Sequence, residues 1–300
     1  MSSPDSFSVS ETSANLVHQL VREHLPAFAG FPVSLAAQGW DNIMFRVGAH
    51  HAARFPQRME ALPLLHNEIK WLATAAAPLT VSVPTISHVV APSSLFPHPW
   101  TVVTWIDGSR GLAQSPQSRD VIVRELGQQL AALHRPAPQN APRNPYRGGP
   151  LTERNTVMRE RTRSLPELNA LNTVWEAALS APEWKHDGWW CHGDLHPGNY
   201  VLHEDHKLAG IIDFGDLCAG DPALDLMTAW TSFTETGRSQ FFDSYFAACD
   251  KRIREDSGII DRARGWAALS MVSGVLTSPL STPDFVDMAQ WTLNQLLHEQ

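Results

Sequence analysis

Residues 192–216 read HGDLHPGNYVLHEDHKLAGIIDFGD. The middle, EDHK, is polar, and both flanks, YVLH and LAGIID, are apolar or β-branched. That pattern predicts a tight β-hairpin over 200–212. With the turn centred on Asp205 and His206, Asn199 falls opposite Ile212 and beside Asp213, at the hairpin's open end. An amide oxygen and a carboxylate side by side are hard ligands of the kind Mg²⁺ takes. Asp194 lies upstream across the Pro197-Gly198 turn, close enough to share the site without binding the ion, and is left available as a base. Two other readings stand beside this one. His192, Asp194 and His196 alternate as the ligands of a zinc or di-metal hydrolase would, although His50-His51 and His203 supply no completing motif. Or the polar residues merely cap and tie loops.

Upstream, NIMFRV and HAARF flank Gly48 and Ala49 as the strands of a hairpin. A helix follows from Ala61, with Leu62, Leu65, Ile69, Leu72 and Ala76 at helical spacing, and ends near Pro78. WTVVTWI reads as a buried strand and DGSRG as a turn, so the chain is divided into 1–106 and 107–300. Beyond that point the pattern is helical. SRDVIVRELGQQLAALH puts Ile122, Leu126, Leu130 and Leu133 on one face, with Ser118 as its expected N-cap. Residues 135–150 hold five prolines and read as loop. Helices resume around ERNTVMRERTRSL and ELNALNTVWEAAL, and again from Pro222 to the end.

At 43% hydrophobic and 18% charged, 300 residues are enough for a well-buried core and for two lobes, which excludes a disordered chain. A formal net charge of -8 argues against nucleic acid as a partner. Three cysteines without a CxxC pair suit a reducing compartment. The first residues, MSSPDSFSVSETSANLV, have no basic or apolar signal region, and the longest uncharged apolar run, WAALSMVSGVLTSPL from Trp266, is too short to span a bilayer and reads as a buried helix. A cytoplasmic protein without a membrane partner is expected.

HGDLHPGN followed by IIDFGDLCAGDPALDL closely resembles the aminoglycoside phosphotransferase family, whose members include macrolide phosphotransferases and relatives of choline kinase and share the protein-kinase-like fold. GWDNIMFRV, RFP, the helix with Glu68 and VVTWIDG match the family's order of elements, so the resemblance covers most of the chain. It implies an α+β fold of two lobes: an N-terminal antiparallel sheet plus helix that holds the nucleotide, and a larger, mainly helical lobe with the base and the acceptor pocket. Carried over by position, Asp194 would be the catalytic base, and Asn199 and Asp213 would hold Mg²⁺ on the triphosphate. His192 would brace the loop. Asp221 would start a helix as N-cap, and Asp225 would tie the catalytic loop down. Backbone near Trp105, Ile106 and Asp107 would meet the base of ATP or GTP. The chain departs from kinase pattern in having no GxGxxG, only Gly39, and in placing Arg54 where many kinases have lysine. Arginine can still grip phosphate. Glu68, on or beside an apolar stripe, needs a partner, with Arg54 the natural one and Arg58 in reserve.

The resemblance implies an acceptor that is a hydroxylated small molecule, an antibiotic of the macrolide or aminoglycoside class, with a metabolic sugar, choline or amino-alcohol kinase as the alternative. From Gly108 on there are 24 acidic and 18 basic residues, a balance that would steer a cationic aminoglycoside. Trp230, Phe233, Phe241, Phe242, Tyr245, Phe246 and Trp266 could line a macrolide pocket, but aromatics at helical spacing are more often core. GWDN with RFP leans toward the macrolide branch. A catalytically silent nucleotide-binding protein would lack one of Asp194, Asn199 or Asp213, and all three are present.

Overall fold

The computed structural model describes residues 13–298. The reading of the first residues as lacking a signal falls mostly on residues outside that range. The chain packs as two compact units, one of residues up to 74 plus 82–107, the other of residues 75–81 plus 108 onward.

The first unit is built on an antiparallel sheet ordered β1-β2-β3-β5-β4. Its strands are β1 (Val33–Gln38), β2 (Asn42–Val47), β3 (His51–Pro56), β4 (Ile86–Val90) and β5 (Trp100–Thr104), and its helices are α1 (Ala14–His24) and α2 (Ala61–Ala76). β2 buries Ile43, Phe45 and Val47 and turns the intervening residues outward, the period of two that a one-sided sheet requires. Phe55 stacks on Trp100 with centroids 4.8 Å apart, and Val17, Leu20 and Val21 of α1 join the same core. The strand pair around Gly48 and the α2 helix stand where the sequence reading put them. That reading omitted α1, β1 and β4. The two strands are the sheet's edges and are half-exposed, so their apolar signal is weak.

The second unit contains β6 (Ser109–Arg110), α3 (Pro116–Arg119), α4 (Val123–Leu133), α5 (Asn155–Ser164), α6 (Asn172–Ser180) and β7 (Trp189–Cys191). β8 (Tyr200–Leu202), β9 (Leu208–Ile211) and β10 (Cys218–Gly220) follow, and then α7 (Ala223–Leu226), α8 (Thr228–Ser232), α9 (Glu235–Ala248), α10 (Lys251–Arg254), α11 (Ile259–Trp266), α12 (Gly274–Leu276) and α13 (Pro283–His298). Ile122, Leu126, Leu130 and Leu133 are buried as expected. The expected N-cap at Ser118 is corrected: Ser115 caps, its side chain accepting from Ser118 N at 3.2 Å, because Pro116 starts the helix earlier. The aromatic cluster is mostly core: Trp230, Phe233, Phe241, Tyr245 and Trp266 are at most 1% exposed, with Phe242 and Phe246 partly so. The apolar run from Trp266 is largely buried helix as far as Leu276, with π geometry over Ala267–Ser273, and then turns, leaving Leu280 exposed. Among the described residues no helix is long and apolar enough to cross a membrane.

Candidate active site

The decisive hairpin forms in the expected register at its open end and slips by one residue between Val201 and Leu202, toward the turn. Tyr200 pairs with Ile211 and Val201 with Gly210, and Ile212 N donates to Asn199 O at 2.9 Å. Asn199 and Asp213 thus leave the ribbon at neighbouring positions. Asn199 Nδ2 donates to Asp194 O at 2.9 Å, which orients the amide and leaves Oδ1 as the end available to a cation. Asp213 is exposed and sits in the left-handed region at φ 61°. That conformation costs a non-glycine residue about 1 kcal/mol and is kept where the surroundings impose it. Two hard oxygens on a constrained frame fit Mg²⁺ better than a soft metal.

Asp194 is flanked on both carboxylate oxygens. Its Oδ1 lies 2.6 Å from Arg147 Nη1, and its Oδ2 lies 3.7 Å from His196 Nε2. Burial alone would raise its pKa, but Arg147 first and His196 next outweigh that and hold the carboxyl well below the usual carboxylate range. Arg147 Nε also faces Asp216 Oδ1 at 3.5 Å, and Asn144 Nδ2 donates to the same oxygen at 2.7 Å. Burial pushes Asp216 up; Arg147 opposes the shift and the neighbouring Asp194 adds to it.

The loop before Asp194 hangs on Asp225, which is fully buried. Its Oδ2 accepts from His192 N at 2.6 Å and from His134 Nε2 at 3.1 Å, and its Oδ1 accepts from Gly193 N at 2.8 Å. His134 Nδ1 meets the Tyr245 hydroxyl at 2.7 Å. Gly193 has φ 92°, and a Cβ there would stand 2.1 Å from Asp216 O, so only glycine fits. His192 braces the loop: Nδ1 accepts from Asp194 N at 3.2 Å, which places the proton on Nε2, and Nε2 donates to Ile212 O at 2.9 Å.

These bonds correct the rival metal reading. Both ring nitrogens of His192 are engaged, and His196 Nδ1 accepts from Gly198 N at 3.0 Å. Among the described residues the clustered potential ligands are instead His134, Cys191 and Asp225, buried and already hydrogen-bonded to one another's surroundings. Asp221 is corrected by one position. Its Oδ1 accepts from Ala223 N at 3.0 Å, but the helix starts after Pro222, and the carboxylate is also paired with Arg262, Nε to Oδ2 at 2.6 Å.

In the first unit, Arg54 and Glu68 form a buried ion pair on β3 and α2. With its amide oxygen turned toward the guanidinium, Asn42 accepts from Arg54 Nη2 at 2.9 Å. Arg58 is no reserve partner, since it bonds Asp41 Oδ1 through Nε at 2.6 Å. The connector is braced: Arg46 lies over the Trp105 ring at 4.4 Å and pairs with Asp107 at 3.0 Å. Trp105 N is spent on His50 O at 2.8 Å, so of that segment's backbone this donor is not open to a ligand.

The family model described as "Phosphotransferase enzyme family" matches residues 32–265. The chain belongs to that family. This phosphotransferase is similar in fold to the GDP and kanamycin complex of APH(2")-IIia, at TM-score 0.72 and 18% identity over 95% of this chain and 99% of that one. The streptomycin and ATP complex of APH(2")-IIa gives 0.60 and 14% over 96% and 99%. Macrolide 2'-phosphotransferase MphH from Brachybacterium faecium gives 0.58 and 20% over 93% and 98%. No curated protein matches the sequence significantly. The antiparallel-sheet unit and the mainly helical unit of the phosphotransferase agree with the kinase-like fold that the motifs imply.

Asp194, Asn199 and Asp213, singled out in the sequence, come from one short ribbon and its preceding loop. The sequence reading missed Arg147, Asp216, Asn144 and His134. Asp216 follows the IDFG run directly and could have been flagged as a further acid there; Arg147 and Asn144 lie in a proline-rich loop that carries no motif.

Proposed function

We propose that this phosphotransferase moves the γ-phosphate of ATP or GTP, bound with Mg²⁺, to a hydroxyl of an aminoglycoside or macrolide antibiotic. The observation that carries the reading is the pairing of an ionised, oriented Asp194 with an Asn199 amide whose Nδ2 it fixes. Asp194 takes the acceptor proton as the acceptor oxygen bonds to phosphorus and the bond to the β-phosphate breaks. Asn199 and Asp213 would hold Mg²⁺, which neutralises triphosphate charge when bound. Arg54, positioned by Glu68, offers a fork of donors to phosphate. Trp105, Ile106 and Asp107 remain the segment proposed to meet the base, through groups other than Trp105 N. Two of the similar structures are named for complexes, one with GDP and kanamycin and one with ATP and streptomycin.

A metabolic sugar or amino-alcohol acceptor is the second reading. It is favoured by the burial of the aromatic residues that would otherwise have offered a macrolide pocket.

The test is a screen of kanamycin, a macrolide and small polyols with labelled ATP and GTP, reading phosphate on the acceptor. Asp194→Asn should lower turnover about 10²-fold to 10⁴-fold and leave nucleotide affinity nearly intact. Turnover at the wild-type rate would remove Asp194 as base.

A further inference from the structure

The proline-rich loop over 135–150 is strapped to the strands on either side of the candidate site. Trp190 N donates to Arg135 O at 2.9 Å and Ala137 N to Gly188 O at 3.1 Å. Ala219 N donates to Pro142 O at 2.7 Å and Asp221 N to Gly148 O at 2.9 Å. Gly148 takes φ 74° with its Cα against Gly220, which turns the chain immediately after Arg147. Five prolines further restrict the loop before folding. Arg147 is therefore presented from a fixed backbone and not from a swinging arm.

Its guanidinium reaches two acids at once, Asp194 Oδ1 at 2.6 Å through Nη1 and Asp216 Oδ1 at 3.5 Å through Nε. Asn144, three residues earlier on the same loop, donates to the same Asp216 oxygen at 2.7 Å. Without the cation, two adjacent carboxylates would repel and the Asp194 side chain would lose its only short charged contact among the described residues. With it, the buried Oδ1 is ion-paired to Arg147 Nη1, although the two atoms do not meet in hydrogen-bond geometry. Oδ2 faces His196 Nε2 at 3.7 Å, beyond hydrogen-bond range. His196 is itself kept from closing that gap, since its Nδ1 accepts from Gly198 N at 3.0 Å and its ring abuts Phe285, centroids 5.3 Å apart.

We propose that Arg147 is a positioning residue for phosphoryl transfer: it clamps Asp194 through Oδ1 and so makes Oδ2 the oxygen that receives the acceptor's proton. This rests on the reading of Asp194 as base. In the step itself the acceptor oxygen forms its bond to the γ-phosphorus, the bond from that phosphorus to the bridging oxygen breaks, nucleoside diphosphate leaves, and the proton passes to Asp194 Oδ2. Arg147 neither gives nor takes a proton; it fixes the angle at which Oδ2 stands. Lysine in its place would keep the charge on a single nitrogen but lose the separate Nη1 and Nε donors of the rigid fork that face Asp194 and Asp216.

The experiment uses the full chain, with Mg²⁺ and ATP or GTP, and water as the probe acceptor, so that it does not depend on knowing the natural one. Hydrolysis is measured for wild type, Arg147→Met, Arg147→Lys and Asp194→Asn, with nucleotide KM and thermal melting for each. Methionine keeps a stem of similar length, so packing is largely spared. The expected result is a fall in kcat of about 10-fold to 10²-fold for Arg147→Met, the scale of a slightly misplaced reacting group, with nucleotide KM unchanged. Arg147→Lys should recover part of that loss. A structural role alone would lower activity only in step with the folded fraction. Wild-type kcat in folded Arg147→Met, beside an inactive Asp194→Asn, overturns the proposal and leaves the base assignment standing. Wild-type kcat in Asp194→Asn overturns both. If Arg147→Met does not fold, Arg147→Lys decides: reduced kcat at unchanged KM supports the clamp, and wild-type kcat refutes it.

Discussion

Asp225 receives two backbone N–H groups and one imidazole N–H without any contact with water. Replacing it with asparagine puts an amide NH₂ against a donor and strands at least one buried group. Asp225→Asn should therefore cost about 3–5 kcal/mol, the scale for breaking a buried charged network, and a denaturant titration would show it as a lower midpoint. A change within about 0.5 kcal/mol would mean that the loop is held by other contacts. Arg54 makes a different prediction, because its pair with Glu68 and Asn42 leaves a guanidinium fixed on a rigid strand. Arg54→Ala should raise the Michaelis constant for nucleotide; an unchanged value would remove it from the phosphate contact. For Asp194 the direction of the pKa shift sets a pH expectation. Burial opposes ionisation, yet Arg147 and His196 depress the pKa below the ordinary carboxylate value, so the group stays charged as pH falls through 4–5. The acid limb of kcat should not begin there, and a wild-type limb at pH 4–5 or above that moved in Asp194→Glu would contradict this. These residues were readable to different degrees. Asp194, Asn199 and Asp213 announce themselves because their spacing is set by one local ribbon. Arg147 does not, since it reaches Asp194 through folding of a loop 47 positions away, and no local pattern encodes that approach.

At the scale of elements, local chemistry fixes what is legible. The register of β8 and β9 followed from a polar turn between two apolar flanks, and the α4 stripe followed from helical spacing. The Ser118 error came from two serines three positions apart, where Pro116 tips the choice to Ser115. α1 is not read from the sequence although Ser13 caps it and Val17, Leu20 and Val21 share a face. The Gly193 turn carries its own prediction. Gly193→Ala adds a Cβ 2.1 Å from Asp216 O at a φ of 92°, so both sterics and backbone oppose it. Soluble yield and melting temperature should fall together; a variant as stable as wild type would show that the loop can relax away from Asp216.

At the scale of the whole molecule, family membership gives the phosphotransferase activity and the kinase-like fold, while the acceptor is set by surface that fold likeness at 18% identity does not specify. The charge excess beyond Gly108 and the buried aromatics bear on that choice in the same sense, one toward a cationic acceptor and the other away from a large apolar one. The chain-wide account reduces to whether the 192–216 ribbon gathers a divalent cation onto nucleotide. The direct measurement is calorimetric titration of nucleoside diphosphate with and without Mg²⁺ into wild type, Asn199→Ala, Asp213→Asn and Asp194→Asn. The account predicts that Mg²⁺ strengthens binding to wild type and to Asp194→Asn, and that this gain is lost in Asp213→Asn and weakened in Asn199→Ala. A folded Asp213→Asn variant that keeps the full Mg²⁺ gain would contradict it.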